Sequence, residues 1–389
     1  MLPGEQGLPE EIFSYHSNIV NHVLQFGCKE ADDYLADRVR QLIRTLQLQW
    51  YRRSQQQIFC PTCGVNEHTR KGWRTRVLRS SRGRLVLLVL QARCKCCGRT
   101  FRPFTTALGL PFSRRCTDEL IEKAVSLGIQ MPFRRSSDIL KKLTAGSLSA
   151  EGIRRKIAAK AKTVVLREDV ADKTVLTDST KVKAGVKERG ASVQMAITAE
   201  PGPMVAGRPT IKKALVHLHV GDVEPLRDHL GVIRPQRIVH DGDTDFSDCS
   251  DSVQRCRWHL VHQLKHYLWQ DEIPHEDRAT YQGRLKDILF GEWNTAPRML
   301  GTFIKDLESA GCTTSAEHLR NAHFEAFTYR TDGNYTYSTT TPIEREMREL
   351  NRRADVGARW SEIGVENVLK VLFYYRLNES KAQNLRRYG

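Results

Sequence analysis

Two CxxC pairs have the spacing of metal ligands. The four cysteines are Cys60, Cys63, Cys94 and Cys97. A CxxC turn lets two thiolates reach one ion, and zinc takes four such ligands in a tetrahedron. The 30 residues between the pairs are typical of a β-hairpin, which would return the second turn to the first. The pattern predicts a structural Zn²⁺ site. Cys96 and His68 are alternatives for its fourth position.

Three carboxylates stand where they could bind divalent cations. Asp178 closely follows the apolar run Thr-Val-Leu, and Asp241 ends the predicted strand Arg-Ile-Val-His. Glu344 falls in the first turn of a predicted helix. Pro342 marks the start of this helix, because proline favours the first helical position. Such a set can hold two Mg²⁺ or Mn²⁺ ions about 4 Å apart and catalyse phosphoryl transfer. Nearby alternatives are Asp172, Asp243, Asp245, Glu346 and Glu349.

A cysteine and three histidines recur within QRCRWHLVHQLKHYLW. On a helix, His259, His262 and His266 share one face, so a second metal site is one interpretation. The interpretation we favour is a structural pair, in which Cys256 and His259 pack or hydrogen-bond together.

The positive charge is concentrated in one part of the chain. The net charge is +16, but residues 51–170 alone carry 26 Lys and Arg against 8 Asp and Glu. Residues 171–389 carry 31 against 30. Such a localised excess indicates a polyanionic partner, and double-stranded DNA is the usual one. The basic residues we expect to contact DNA are Arg74, Arg76, Arg154, Arg155, Lys156, Arg348 and Arg352, with Arg353 as a further candidate.

Sequence periodicity divides the chain into four parts. The expected parts are an N-terminal helical segment (1–56), a zinc ribbon (57–112), a helix-turn-helix DNA-binding domain (113–168) and a catalytic domain (169–389). The helical segment could be a leader, a dimerisation element or a brace for the ribbon. In the helix-turn-helix region, Thr117, Ser137 and Ser149 are expected to cap three short helices.

The last part has the element order of an RNase H-like α/β domain. The expected elements are strands 174–178, 191–198 and 211–220, a helix at 223–230, a strand at 236–241 and a short element at 252–258. A helical insertion follows at about 260–335. The fold class is therefore multidomain α+β, in which the zinc ribbon and helix-turn-helix precede an RNase H-like domain with an α-helical insertion.

The chain carries no sequence feature that indicates a membrane. Its longest aliphatic run, residues 85–90, is too short to span a bilayer. Its first residues lack a basic region followed by an apolar one, as a secretory signal would require. We expect a cytoplasmic, nucleoid-associated protein with no membrane partner.

Several of these motifs occur together, in order, in one known family. The series TDST, HDG, Cys256-x2-His259 and TTTPIEREMRELNRR resembles the prokaryotic Mutator-type DDE transposases of insertion sequences, over residues 57 to about 375. The resemblance assigns the catalytic triad to Asp178, Asp241 and Glu344. It implies two Mg²⁺ or Mn²⁺ ions per active site, cleavage and strand transfer at terminal inverted repeats, and a homodimer or larger assembly on terminal and target DNA.

Two other functions fit parts of the pattern. A zinc-ribbon regulator descended from a transposase would keep the DNA-binding modules without catalysis. A structure-selective nuclease would keep the carboxylates without sequence-reading modules. The complete carboxylate set argues against the first, and the separate DNA-binding modules argue against the second.

The charge distribution predicts where DNA affinity resides. A fragment spanning residues 51–170 should bind duplex DNA with an affinity that falls steeply with salt, because its cations displace counterions from phosphates. Titrations at several salt concentrations would measure this slope. Equally tight binding of terminal-repeat DNA by residues 171–389 alone would contradict the prediction.

Overall fold

The computed structural model of the chain is a mixed α+β protein. It describes residues 28–107, 115–186, 190–291, 294–333, 335–355 and 359–378. These residues form 13 α-helices and two β-sheets. They divide into two compact units, one comprising 1–124 with 134–150 and the other 125–133 with 151–389. The first 27 residues of the expected helical segment lie outside the described residues.

The first unit contains a three-stranded antiparallel sheet. Strand β1 (His68–Ser80) pairs with β2 (Gly83–Cys94), which pairs with the short β3 (Thr100–Phe101). Gly83 opens β2 with a φ of 113°, which suits glycine in a tight turn. The expected hairpin is confirmed, and each of its long strands has a CxxC pair at its outer end.

Helix α1 (Cys28–Arg53) packs against this hairpin. The buried Gln47 amide donates to the Leu88 carbonyl at 2.8 Å and accepts from the Leu90 amide at 3.0 Å. Tyr51 joins Leu90 in a small apolar cluster. Of the three roles left open for this segment, a brace for the ribbon is the one that these contacts support.

Four helices follow the ribbon. They are α2 (Pro103–Ala107), α3 (Asp118–Gln130), α4 (Phe133–Leu143) and α5 (Ala150–Ala161). Thr117 caps α3 as expected, since its Oγ1 accepts from the Leu120 amide at 3.4 Å. The expectation for Ser137 was wrong. Helix α4 begins at Phe133, and Ser137 is buried within it, where its hydroxyl donates to the Leu148 carbonyl.

The end of α3 packs closely on α5. Ile153 and Ile157 are fully buried. They approach Gly128 so closely that a Cβ there would lie 2.6 Å from Ile153 and 2.8 Å from Ile157. Glycine at 128 therefore permits the helices to touch. The start of α3 and nearly all of α4 belong to the first compact unit, whereas the end of α3 and nearly all of α5 belong to the second. The helix-turn-helix arrangement of these helices therefore stays a prediction.

The second unit contains a five-stranded mixed sheet. Its strands are β4 (Thr174–Val182), β5 (Ala191–Pro201), β6 (Ile211–Val220), β7 (Arg237–His240) and β8 (Ser252–Arg255), with α6 (Glu224–Ile233) between β6 and β7. The order across the sheet is β6-β5-β4-β7-β8. Strands β4, β5 and β6 are antiparallel, whereas β4, β7 and β8 are parallel. The strands and helix expected from the sequence are all present.

A helical block lies between β8 and the C-terminal helices, as expected for the insertion. Its helices are α7 (Arg257–Gln270), α8 (His275–Phe290), α9 (Ala296–Ser309), α10 (Thr313–Ala322) and α11 (Thr328–Thr331). They share an apolar core that includes Leu264, Leu289 and Phe303. This block therefore buries a core of its own beside the sheet.

The last two helices are α12 (Thr341–Ala354) and α13 (Glu362–Phe373). Arg353 of α12 is buried, and its guanidinium donates to the carbonyls of Gly128, Ile129 and Met131 at the end of α3. It also lies 4.9 Å from the Trp360 ring centroid. The expectation that Arg353 contacts DNA was therefore wrong, because its donors satisfy a helix end.

No helix in the described part of the chain is long and apolar enough to cross a membrane.

Candidate functional site

The four predicted cysteines converge at the outer end of the hairpin. The Sγ atoms of Cys60 and Cys97 are 3.6 Å apart, and those of Cys63 and Cys94 are 3.5 Å apart. All four lie within 4.8 Å of one another. Zn–S bonds of about 2.3 Å in a tetrahedron require sulfurs about 3.8 Å apart. The cluster is at metal-binding distance, and its chemistry is compatible with a zinc site.

Both CxxC turns have the same backbone geometry. The Gly64 amide donates to the Cys60 carbonyl at 2.9 Å, and the Gly98 amide donates to the Cys94 carbonyl at 3.1 Å. The two glycines have φ values of 72° and 69°, a region that glycine enters without steric cost. Amide hydrogen bonds from Thr62 and Cys63 lower the pKa of Cys60 to about 6, which favours the thiolate. The two equivalent turns thus bring four cysteine sulfurs to one point, where burial and the neighbouring thiols raise the pKa of Cys63 and Cys97 against the lowering effect of backbone hydrogen bonds.

Neither of the two alternative ligands, Cys96 and His68, belongs to the four-cysteine cluster. Cys96 is exposed and does not belong to the cluster. His68 packs edge-on against Tyr51 and Phe101, and its Nδ1 lies 2.7 Å from the Asn66 carbonyl. The ambiguity that the sequence left open is resolved in favour of Cys94 and Cys97.

The register of two parallel strands brings the two aspartates together. Leu176 of β4 lies beside Val239 of β7. Two residues farther along come Asp178 on β4 and Asp241, which directly follows β7. Side chains two residues apart share a face, and neighbouring strands lie about 4.8 Å apart. The two carboxylates therefore project from adjacent strands on the same side of the sheet.

A cleft of about 440 Å³ opens beside these aspartates. Its lining includes four carboxylates, Asp178, Asp222, Asp241 and Asp243, and one basic residue, Lys181. So acidic a cleft favours cations and would repel the phosphates of DNA unless cations were bound in it.

The charges in the cleft act on one another. Burial and the neighbouring charge of Asp241 raise the pKa of Asp178 to about 7, and Glu344 contributes in the same direction. Burial and Asp241 also raise the pKa of Asp243. Carboxylates this close together disfavour simultaneous ionisation, and a bound divalent cation relieves that cost. The donor set therefore fits a hard cation such as Mg²⁺.

Glu344 lies in a second group of metal-ligand atoms. Its carboxylate, Cys256 Sγ and a ring nitrogen of His259 lie within 4.8 Å of one another, whereas Asp178 and Asp241 do not belong to this group. Burial by itself would lower the pKa of His259, but the hydrogen bond and charge of Cys256, with those two aspartates, raise it to about 9. The expected Cys256–His259 pair is thus present and adjoins Glu344.

Glu346, the main alternative to Glu344, has a different environment. It is 4% exposed, and its carboxylate pairs with Lys213 at 2.8 Å and with Arg376 at 2.5 Å. Lys213 also donates to the Pro342 carbonyl. Because two cations already neutralise it, Glu346 anchors α12 to β6 and is a poor candidate for a metal ligand.

The residues expected to contact DNA differ in their exposure. Arg76 is only 7% exposed, which argues against a phosphate contact from its side chain. Lys156 is half-buried. The exposed members are Arg74, Arg154, Arg155, Arg348 and Arg352. Arg154 and Arg155 share exposed Glu151, and Arg352 pairs with half-buried Glu349, so these three could exchange a carboxylate partner for phosphate.

Two residues near the carboxylates were not identified from the sequence. The buried Thr340 hydroxyl lies 3.3 Å from both Cys256 Sγ and Glu344 Oε1, and 3.1 Å from His259 Nδ1. Its place before the helix that carries Glu344 was the signal available. Arg255, at the end of β8, donates to the Gly242 carbonyl in the loop after β7 at 2.9 Å. No spacing in the sequence predicts this contact.

No protein-family model matches the chain, and no curated protein matches it in sequence. The assignment of function therefore depends on the geometry of the two clusters and the cleft.

The cysteine cluster predicts which thiols hold metal. Cys63→Ser should reduce the zinc content by about one ion per chain, because three thiolates bind zinc far more weakly than four. Cys96→Ser is the matched control, since its thiol lies outside the cluster, and it should retain zinc. Metal analysis of the purified variants measures this. Equal zinc content in Cys63→Ser and wild type would contradict the prediction.

The raised pKa of Asp178 predicts a pH-dependent stability change in metal-free protein. Ionised Asp178 destabilises the folded chain above pH 7, and this cost fades as the pH falls from about 7 toward the ordinary value near 4. Asp178→Asn should therefore stabilise protein kept free of Mg²⁺ and Mn²⁺, with zinc left on the four cysteines, at pH 8 by about 2–4 kcal/mol and much less at pH 5. Exposed Asp172→Asn serves as the control. Thermal unfolding showing the same change at both pH values would refute the assignment.

Proposed function

We propose that the protein is a DNA transposase that cleaves and joins DNA strands by metal-dependent phosphoryl transfer. The observation that carries this proposal is the pair Asp178 and Asp241, set side by side by the β4–β7 register in an acidic cleft. Glu344 is near enough to raise the pKa of Asp178. These are the carboxylates that the resemblance to Mutator-type DDE transposases assigns to the triad.

The strand arrangement supports an RNase H-like catalytic domain. Three antiparallel strands, β6, β5 and β4, are followed across the sheet by the parallel β7 and β8. The first aspartate lies on the central strand β4, and the second follows its parallel neighbour. Functional residues of open sheets gather where the carboxyl ends of parallel strands meet. The helices from α7 to α11 take the place of the insertion.

The carboxylates would bind two Mg²⁺ or Mn²⁺ ions. When bound, such ions activate a water or a 3′-hydroxyl and stabilise the leaving oxygen. Asp178 and Asp241 would bind and orient them from the sheet, and Glu344 would complete the set from α12. Burial of α12 through Glu346 and Arg353 fixes the backbone that carries Glu344.

The remaining features suit recognition of DNA. The four-cysteine cluster would hold Zn²⁺ and fold the ribbon, whose described residues carry many arginines. Exposed basic side chains, Arg74, Arg154 and Arg155 among them, would contact phosphates of terminal inverted repeats. Strand transfer requires paired ends and target DNA, so the protein would act as a homodimer or a larger assembly.

Neutral replacements of the triad test catalysis directly. Asp178→Asn, Asp241→Asn and Glu344→Gln should each reduce nicking of a labelled terminal-repeat duplex by at least about a thousandfold, since each removes a charged ligand from a shared metal site. The zinc content of the four-cysteine cluster and end binding should remain close to wild type, and thermal unfolding should show that each variant is folded at the assay temperature. Mn²⁺ should support cleavage and Ca²⁺ should not, because Ca²⁺ prefers longer and looser coordination.

Glu349→Gln is the matched control on the same helix, because Glu349 contacts only exposed Arg352 among the ion pairs of the described residues. It should keep most of the activity. Glu346→Gln is unsuitable, since breaking its buried ion pairs would destabilise α12. Full activity of Asp178→Asn would exclude this triad. Lack of cleavage by the wild type on its own ends would favour the DNA-binding regulator.

A further inference from the structure

Three different metal-ligand groups meet beside the acidic cleft. Cys256 Sγ, a ring nitrogen of His259 and a carboxylate oxygen of Glu344 lie within 4.8 Å of one another. Cys256 is completely buried, and the other two side chains are half-buried. A buried thiol, an imidazole and a carboxylate in contact are rare unless they bind a cation or form a hydrogen-bond network.

The starts of two helices position this group. Cys256 immediately precedes α7 and its amide donates to the His240 carbonyl at 2.7 Å, so β7 fixes its backbone. His259 lies in the first turn of α7. Glu344 lies in the first turn of α12. Buried contacts hold both helices, so the three ligand atoms converge before any metal binds.

One hydroxyl lies within hydrogen-bond reach of all three side chains of the group. The Thr340 hydroxyl lies at 3.3 Å from Cys256 Sγ and Glu344 Oε1 and 3.1 Å from His259 Nδ1. The Thr340 amide also donates to Cys256 Sγ at 3.3 Å. A hydroxyl has one proton, so it cannot donate to the thiolate and the carboxylate together. A cation at this position would satisfy both.

The donor set selects a particular class of metal. Thiolate and imidazole are ligands for Zn²⁺, Co²⁺ and related ions, whereas Mg²⁺ prefers oxygen alone. The neighbouring cleft offers carboxylates, which suit Mg²⁺ and Mn²⁺. Glu344 is the member common to both sets. A zinc ion and the catalytic cations would therefore compete for one carboxylate.

We propose that Cys256, His259 and Glu344 form a second zinc site, distinct from the ribbon, and that zinc bound there withdraws Glu344 from the catalytic cleft. Metal binding at this site stands independently of the proposed function, whereas its inhibitory effect rests on that function. Excess zinc would then act as an inhibitor that holds the transposase inactive.

Cobalt titration of the full chain tests the site. With the ribbon loaded with zinc, added Co²⁺ should bind once more per chain and produce the absorption band of a cobalt–thiolate bond. Cys256→Ser should abolish that band. Cys249→Ser, which removes another buried thiol of the same unit, should retain it. Cobalt bound only by the aspartates of the cleft would give no thiolate band.

The variants also control for folding and for the ribbon. Glu344→Gln leaves the thiol in place and should weaken cobalt binding at least about tenfold, as expected for loss of a direct ligand. If Cys256→Ser does not fold, as judged by thermal unfolding, Glu344→Gln and His259→Asn decide the matter. A wild-type chain that binds no cobalt beyond the ribbon, or a band that persists in Cys256→Ser, would overturn the proposal.

A cleavage assay tests the inhibitory role separately. In Mn²⁺, zinc beyond one ion per chain should suppress nicking by the wild type, and Cys256→Ser should require at least about tenfold more zinc for half-inhibition. Each variant is compared with its own activity without added zinc. Cobalt binding without zinc inhibition would retain the site and reject its regulatory role. A wild type that does not cleave would reject the proposed function while the cobalt result stands.

Discussion

The pairing of β4 with β7 is the constraint on which the candidate site depends. A parallel register that sets Leu176 beside Val239 also sets Asp178 beside Asp241. Burial, together with the neighbouring charge of Asp241, raises the pKa of Asp178 to about 7, so ionising both carboxylates carries a cost. Backbone hydrogen bonds and apolar burial along these strands hold the carboxylates together against their repulsion. A site that stores unfavourable charge in this way is prepared for a cation.

Buried ion pairs and hydrogen bonds hold helix α12 in place, whereas the carboxylates of the cleft repel one another. Glu346 is neutralised by Lys213 and Arg376, and Arg353 satisfies the carbonyls at the end of α3. These buried groups fix the helix in position, and half-buried Glu344 lies in its first turn. Of two glutamates two positions apart on one helix, Glu346 is thus an anchor and Glu344 a candidate ligand. The same Arg353 contacts join the helix to the end of α3, within one compact unit.

The four-cysteine cluster and the carboxylate cleft each gather possible metal ligands, but in different surroundings. The hairpin has a small apolar cluster around Tyr51 and Leu90, too little to fold a long hairpin by itself, so a metal held by the four cysteines would add stability that this core lacks. The cleft is set in a sheet with a buried core of its own, so a metal bound there would serve the proposed chemistry. The oxygen ligands of the cleft favour hard cations and the sulfur ligands of the cluster favour zinc, and among the described residues the group around Cys256 combines both kinds of ligand.

The sequence by itself determined the local elements and the residue types available for chemistry. CxxC spacing, strand runs and the proline before Glu344 are short-range signals, so the hairpin, the strands and the start of α12 followed from them. Tertiary structure decided which residues meet. The choice of Cys97 over Cys96, the burial of Arg76 and Arg353, the neutralised state of Glu346 and the place of Thr340 between Cys256 and Glu344 all depend on contacts between residues distant in the chain. Periodicity carries no information about such contacts, because it records which face of an element is apolar and not what packs against that face.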